Sequence, residues 1–358
     1  MNLKSNQVGR DTNIELLRII AILGVIILHY NNAQIGGGLA YVCDGSANYY
    51  ILIVLEVLSI CAVDLFMLIS GYFLSNTKKR NLWKPIELIT QVIIFKLGIY
   101  LLNVFLGKEL ITVTQLIYCF IPDNYFVILY MVVYLVSPYV NLALEQLSSK
   151  QLRTFVCLLV ILFSVWPTMV DVIQVLAGRE FQGLSTIGMY GSQRGYTAVN
   201  FLLLYVIGAF IRIEKKYMKK PSLKVITGLL MICIGLLTVW SLYNTSTAWE
   251  YCNPLVILLA ILTFLLFVNI DLGANRIINH FAKATFSVFL LHSLFLHHIS
   301  IQWHVTKSSW VMLLHIAVSA VGIYLVCWVG HCVYSSIVTP VFRKIADRIQ
   351  LPSLDLSK

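Results

Sequence analysis

Residues 255–268 read Leu255-Val256-Ile257-Leu258-Leu259-Ala260-Ile261-Leu262-Thr263-Phe264-Leu265-Leu266-Phe267-Val268, fourteen positions with one polar side chain. A helix on the surface of a soluble domain keeps a polar face, whereas this one would be apolar all round, as lipid contact requires. Residues 225–239 have the same character. The whole chain agrees: 59% of its 358 residues are apolar and 12% charged, against roughly half and a quarter in a soluble protein. That deficit of charge argues against a soluble enzyme and divides the length into spans of ~20 residues.

Ten such stretches run over residues 14–33, 50–74, 85–106, 125–142, 153–173, 197–213, 222–242, 253–270, 281–299 and 310–335. Alternating barrel strands are not seen, and backbone groups in hydrocarbon must be satisfied within their own segment. The expectation is an all-α, polytopic integral membrane protein of about ten transmembrane helices, one membrane-embedded domain over residues 1–358. Arg10 and Arg18 ahead of a short apolar core imitate a signal peptide, but no convincing cleavage site follows and nine more spans do. Eight cysteines give no readable disulfide framework.

The net charge of +10 would suggest nucleic acid in a soluble protein; here it reports orientation, and no nucleic-acid partner is expected. If the N-terminus is inside, 20 of the 26 Lys and Arg fall in cytoplasmic segments. These include Lys4, Arg10, the run Lys78, Lys79, Arg80 and Lys84, the cluster Arg212, Lys215, Lys216, Lys219, Lys220 and Lys224, and Lys358. Only Lys108, Arg179, Arg194 and Lys307 fall outside. Both termini are therefore expected in the cytoplasm, with an even number of spans, in a multi-pass protein of the cell membrane.

Charged groups in mid-membrane cost at least ~2.5 to 3.5 kcal/mol, so each is a functional candidate. Glu15, Arg18, Glu56, Asp64 and Lys96 stand out, joined by His29 and His292. Glu15 and Arg18 also suit an interfacial ion pair at helical spacing. Arg18 and His29 are eleven residues apart, close to three helical turns, which puts them on one face about 16 Å apart. Glu56, a few residues into the returning span, falls near the depth of His29, where a carboxylate can orient an imidazole and stabilise its protonated form. A lone intramembrane histidine reads as a packing hydrogen-bond partner; Glu56 at matching depth favours the catalytic reading. The run from Lys78 to Lys84 reads either as a positive-inside anchor or as an anion site. His292 reads as the lining of a polar pocket or as packing. Near His292, His297 and His298 no carboxylate or cysteine completes a ligand set, so no metal is expected.

The chain resembles the integral membrane acyltransferase-3 family, particularly its branch of bacterial capsule and exopolysaccharide O-acetyltransferases. The opening Asn13-Ile14-Glu15-Leu16-Leu17-Arg18 with Ile26-Ile27-Leu28-His29 is similar to the family's first signature. Further resemblance lies in Cys61-Ala62-Val63-Asp64-Leu65-Phe66 with Ile69-Ser70-Gly71-Tyr72-Phe73, and in Tyr125-Phe126-Val127 with Tyr134-Leu135-Val136-Ser137-Pro138. Later blocks are Gly195-Tyr196 to Asn200-Phe201, Leu204-Tyr205-Val206-Ile207-Gly208, and Thr285-Phe286-Ser287-Val288 with Leu291-His292. Asp64 stands where Asn is expected, Tyr125 where Trp is frequent, and Lys96 is no part of the pattern.

The resemblance implies transfer of an acyl group, usually acetyl, from cytosolic acyl-CoA to a sugar hydroxyl at the outer face of a bacterial cytoplasmic membrane. Acetyl-CoA would be a substrate, with no bound cofactor. Arg18, Lys78, Lys79, Arg80 and Lys84 would meet the anionic donor, and Glu15, Asp64 and Ser70 are grouped with them. His29 would deprotonate the acceptor hydroxyl with Glu56 as orienter, an acyl-histidine intermediate being the variant. Tyr125, Phe126, Arg194, Tyr196 and His292 are candidates for the acceptor, a polysaccharide or lipid-linked oligosaccharide; the aromatics also suit an interfacial belt. Membrane lipid and a second copy of the chain complete the expected partners. The competing readings are a sugar-lipid flippase, for which the two-fold repeat and paired broken helices are not found, and a non-catalytic assembly partner.

Overall fold

A peptide group in hydrocarbon has no water to bond, so each apolar stretch must close its hydrogen bonds on itself. The computed structural model, which describes residues 11–215, 217, 221–349 and 351–356, meets that demand with helices almost throughout. Lys4, Arg10, Lys216, Lys219, Lys220 and Lys358, and with them the expected siting of both chain ends, lie outside the described residues.

In chain order the elements are α1 (Thr12–Asn31), α2 (Ala47–Ser59), α3 (Ala62–Leu74), β1 (Lys79–Arg80), α4 (Trp83–Phe105), α5 (Val113–Cys119), α6 (Tyr125–Glu145), α7 (Ser149–Val160) and α8 (Trp166–Ala177). There follow α9 (Ala198–Glu214), α10 (Leu223–Tyr243), α11 (Thr245–Ala248), α12 (Pro254–Asn269), α13 (Arg276–Phe281), α14 (Thr285–Leu296), α15 (Ile301–Val305), α16 (Ser309–Arg348) and β2 (Leu354–Asp355). The two-residue strands pair antiparallel, Lys79 with Asp355 and Arg80 with Leu354.

Among the described residues, seven segments are long and apolar enough to cross a membrane: α1, α2 with α3, α4, α6, α7 with α8, α10 and α16. The other three stretches are helices too, but shorter: α9 has 17 residues, α12 16 and α14 12. The expected stretch at 281–299 is helical up to Leu296, α14 following α13 directly through a 3-10 turn at Ala282–Ala284, and it packs beside α1 and α16. Conversely α16 runs on past residue 335 to Arg348, 40 residues in all.

Small residues set the closest approaches. A methyl added at Gly24 of α1 would sit 3.5 Å from the Cβ atoms of Ser59 and Ala62, where α2 gives way to α3. A methyl on Gly71 of α3 would run into the carbonyl oxygen of Tyr205, and one on Gly208 of α9 into that of Leu68. Between α7 and α8 the helix widens into a π-type turn at Ile161–Val165, just ahead of Pro167, whose missing N–H interrupts the ladder. Lys96 reaches the loop before α6, where its ammonium meets Asp123 at 2.6 Å and the Ile121 carbonyl at 2.8 Å, so it is no isolated intramembrane charge.

The end of the bundle between α8 and α12 is closed by a strained turn. Gln193 and Arg194 hold φ of 53° and 55°, a left-handed region that side chains disfavour. The Ser192 hydroxyl accepts the Arg194 amide at 3.0 Å, and the Tyr251 amide donates to the Arg194 carbonyl at 3.0 Å. Beneath this turn Glu250 is buried beside Asp171, Ser192 and Arg194. Burial, and then the neighbouring Asp171, push its carboxyl up to about 9.

Two measurements test this architecture. Gly71→Ala should cost about 1–3 kcal/mol by overpacking, whereas Gly98→Ala, where a methyl meets nothing within 4 Å, should lower the melting temperature of the detergent-solubilised protein little or not at all. Equal melting temperatures for the two variants would refute the close approach of α3 and α9. Glu250 keeps its proton when folded up to about 9 but loses it near 4.5 when unfolded. Its burial therefore costs stability increasingly as pH rises through that window. Glu250→Gln should flatten the decline in melting temperature between pH 5 and 9, and an unchanged slope would contradict the buried acid.

Candidate functional site

Two cavities enter the bundle from opposite sides of one wall. The first, of about 680 Å³, is lined by Arg18 of α1, Ser70 of α3, Lys84 and Gln91 of α4, Tyr130 of α6, Lys283, Ser287 of α14, and His331 and Arg343 of α16. The second, of about 570 Å³, is lined by His29 and Asn31 of α1, Glu56 of α2, Tyr125 of α6, Arg194, Tyr196, Tyr251 and His292. The face of α1 shared by Arg18 and His29 thus serves both, its cation in one cavity and its imidazole in the other.

In the second cavity the imidazoles of His29 and His292 are joined, His292 Nε2 lying 2.8 Å from His29 Nδ1. His292 Nδ1 lies 3.0 Å and 2.9 Å from the carbonyl oxygens of Val288 and Phe289. Carbonyls only accept, so Nδ1 of His292 carries a proton, and in the neutral ring Nε2 is the acceptor. His29 Nδ1–H then donates to it and to the Val25 carbonyl at 3.0 Å. That leaves the lone pair of His29 Nε2 as the free basic site of the ring.

This corrects the expected partnership. Glu56 does not bond to His29; its Oε2 accepts from Asn31 Nδ2 at 2.8 Å, which also donates to the Leu52 carbonyl at 3.3 Å. His292, expected among groups that hold an acceptor, lines this cavity and is also bonded to His29. Tyr125 and Tyr196, which with Arg194 line this cavity, continue into Tyr251, a ring the sequence did not single out, as an edge-to-face row with centroids 4.8 Å and 5.0 Å apart. Phe126 is displaced from that set: it lines the first cavity and is buried among Phe66, Phe201 and Phe289.

The cations expected around an anion divide similarly. Arg18, held at 3.2 Å by the buried Glu15, and Lys84 line the first cavity, and so does Ser70. Lys78 pairs with Glu145 at 2.7 Å and Lys79 with Asp355 at 3.6 Å, and neither lines it. Arg80 is 1% exposed. Its guanidinium donates to Ser137 Oγ at 2.8 Å, to the Thr77 hydroxyl at 2.6 Å, and to the carbonyls of Thr77, Lys79 and Leu74 at 3.0 Å. Every nitrogen is spent on the end of α3 and its neighbours, so no donor remains for a ligand. Asp64 is buried, opens into neither cavity, and its carboxyl oxygens have no hydrogen-bond partner among the described residues.

Lys283 and Arg343 take the places that Lys78 to Arg80 vacate. Lys283 sits in the turn just ahead of α14 and Arg343 near the end of α16, and in sequence both count only as orientation charges. Gln91 and His331 were also missed; they meet at Ser287, with Gln91 Nε2 donating to its Oγ at 2.8 Å and His331 Nδ1 2.9 Å from it. The first cavity can therefore hold an anion with a polyatomic body, and the second a hydroxylated molecule against aromatic faces and an imidazole base.

The description of the family model that matches the chain is "Acyltransferase domain", of the acyltransferase-3 type, and the match runs over residues 11–332. No curated protein and no solved structure matches. Since that match takes in α1 to α15 entire, the whole lining of the second cavity and all of the first except its part from Tyr334 to Arg343, the chain belongs to the acyltransferase-3 family and is a membrane acyltransferase.

Proposed function

We propose that the protein transfers an acetyl or similar acyl group from cytosolic acyl-CoA to a hydroxyl of a surface polysaccharide, or of its lipid-linked precursor, at the outer face of a bacterial cytoplasmic membrane. The observation that carries this reading is one helix face joining two cavities, a cationic one at Arg18 and a basic imidazole at His29 about 16 Å away. Acyl-CoA is an anionic nucleotide on a long flexible arm that ends in a thioester. The nucleotide suits Arg18, Lys84, Lys283 and Arg343, and the arm suits the distance to His29.

In the reaction the acceptor hydroxyl lies on His29 Nε2. As its oxygen bonds to the thioester carbonyl carbon, its proton passes to Nε2; as the carbon–sulfur bond breaks, the leaving thiolate takes that proton from Nε2, so the ester and the CoA thiol are released and the base is restored. The imidazolium formed meanwhile is stabilised through Nδ1–H, which already faces His292 Nε2 and the Val25 carbonyl. Tyr125, Tyr196 and Tyr251 offer aromatic faces to a sugar ring, and Arg194 and the Glu56–Asn31 pair offer polar contacts to its hydroxyls.

His29→Ala should lower transfer of radiolabelled acyl groups into surface glycan by about 10²–10⁴-fold, with the protein still inserted and accumulating. Retained transfer would overturn the proposal, as would glycan NMR showing the same acyl groups with and without the protein. His292→Ala should also reduce kcat, and with an altered pH profile, because the orienting bond is lost. Among the cations, Lys283→Ala should raise KM for acyl-CoA several-fold while Lys78→Ala, outside the cavity, leaves it unchanged. The reverse pattern would place the donor on the loop after α3 instead.

A further inference from the structure

The two cavities share a single lining residue among those described, Phe289 of α14. Four helices agree on the level of the wall it belongs to. On α1 the lining passes from Arg18 to Val25, on α3 from Ser70 and Phe66 to Val63, on α6 from Phe126 to Tyr125, and on α14 from Ser287 to His292. At that level Phe289 packs on Phe126 with ring centroids 5.0 Å apart, and its other side faces His292 at 6.2 Å.

The two rings are held differently. Phe126 is 8% exposed and wedged against Phe66 of α3, Phe201 of α9 and Tyr130 of its own helix, at centroid separations of 6.1, 5.7 and 6.1 Å. A ring packed on several sides in a dense core has nowhere to turn. Phe289 is only half-buried and has open volume on both sides, so it can change rotamer without displacing a helix.

We infer that Phe289 is a movable partition closing against Phe126, which the acyl thioester passes to reach His29 and which otherwise keeps the water of the cationic cavity from the imidazole pair. The inference rests on the acyl-transfer reading above. It adds a determinant of fidelity. Water at the His29 base gives its proton to Nε2 and its oxygen to the thioester carbonyl carbon as the carbon–sulfur bond breaks, so the products are the free carboxylic acid and the CoA thiol. A closed ring makes transfer to a sugar hydroxyl outrun that hydrolysis.

The test is to reconstitute the protein in vesicles with acyl-labelled acetyl-CoA and the glycan acceptor, and to measure labelled glycan against free labelled acetate. Phe289→Ala should raise the ratio of acetate to labelled glycan at least tenfold, and Phe289→Leu, which keeps most of the volume, should raise it less. An unchanged ratio in Phe289→Ala, with the wild type still transferring, overturns the partition and leaves the function standing. A wild type that makes neither product overturns the acyl-transfer reading itself. A second measurement needs no catalysis. His29→Cys, in a background with the eight natural cysteines replaced, is exposed to a membrane-impermeant maleimide from the side of the Arg18 cavity. Labelling should quicken at least tenfold when Phe289→Ala is added, and equal rates with and without that change refute the partition.

Discussion

Polar groups inside a lipid-embedded bundle have to find their partners on other helices, and those bonds set the register of this structure. Apolar side chains cannot do so alone, because lipid tails satisfy a leucine as well as a neighbouring leucine does. The polar bonds converge on α1. Asn31 ties it to α2 through Glu56 and the Leu52 carbonyl, His29 to α14 through His292, and Tyr30 to α16 through His315 at 2.8 Å. A further chain, Gln91 to Ser287 to His331, joins α4, α14 and α16 on the other side of the wall. Each bond has one acceptable geometry, and a slip of one residue along any of these helices would leave a buried donor or acceptor unpaired.

The same logic separates cations that hold the protein together from cations left for a ligand. Arg80 is saturated by hydroxyls and carbonyls at the end of α3, where the helix dipole also favours a positive charge. Arg18 makes one hydrogen bond, to Glu15 at 3.2 Å, and keeps part of its fork towards a cavity. Both are arginines at the membrane edge, and what distinguishes their roles is how many of the five donors the fold has already used.

Much of this was legible in the sequence where one helix suffices to argue it. The apolar stretches place helices at all ten expected positions, and the eleven-residue interval from Arg18 to His29 places their side chains on one face of α1, as the two cavities bear out geometrically. What failed was pairing between helices. Depth alone matched Glu56 to His29, but the carboxylate is taken by Asn31, two residues further along α1, and which neighbouring helix would bring a second imidazole to His29 cannot be counted along one chain segment. Counting charges likewise singled out the run from Lys78 to Lys84, because consecutive cations are conspicuous. Lys283 and Arg343, single residues distant in sequence, line one cavity only once the chain is folded.

A second imidazole, rather than a carboxylate, beside His29 has a physical rationale in this setting. A neutral histidine pair buries no net charge while the site is idle, so it avoids the cost of an ionised group in low dielectric. In the proposed reaction, charge would appear only when the acceptor's proton arrives on Nε2, where a ring nitrogen and a carbonyl are already aligned with Nδ1–H. An aspartate there would orient the ring equally well, but its charge would need a permanent counter-ion inside the bundle. Glu56 is the carboxylic acid that lines this cavity, and its partner is the neutral amide of Asn31 rather than His29. On the proposed reading this division would leave Glu56 to face the acceptor and put the orienting of His29 on α14, which also carries Phe289, so that the ring proposed as partition and the ring bonded to the base belong to one element.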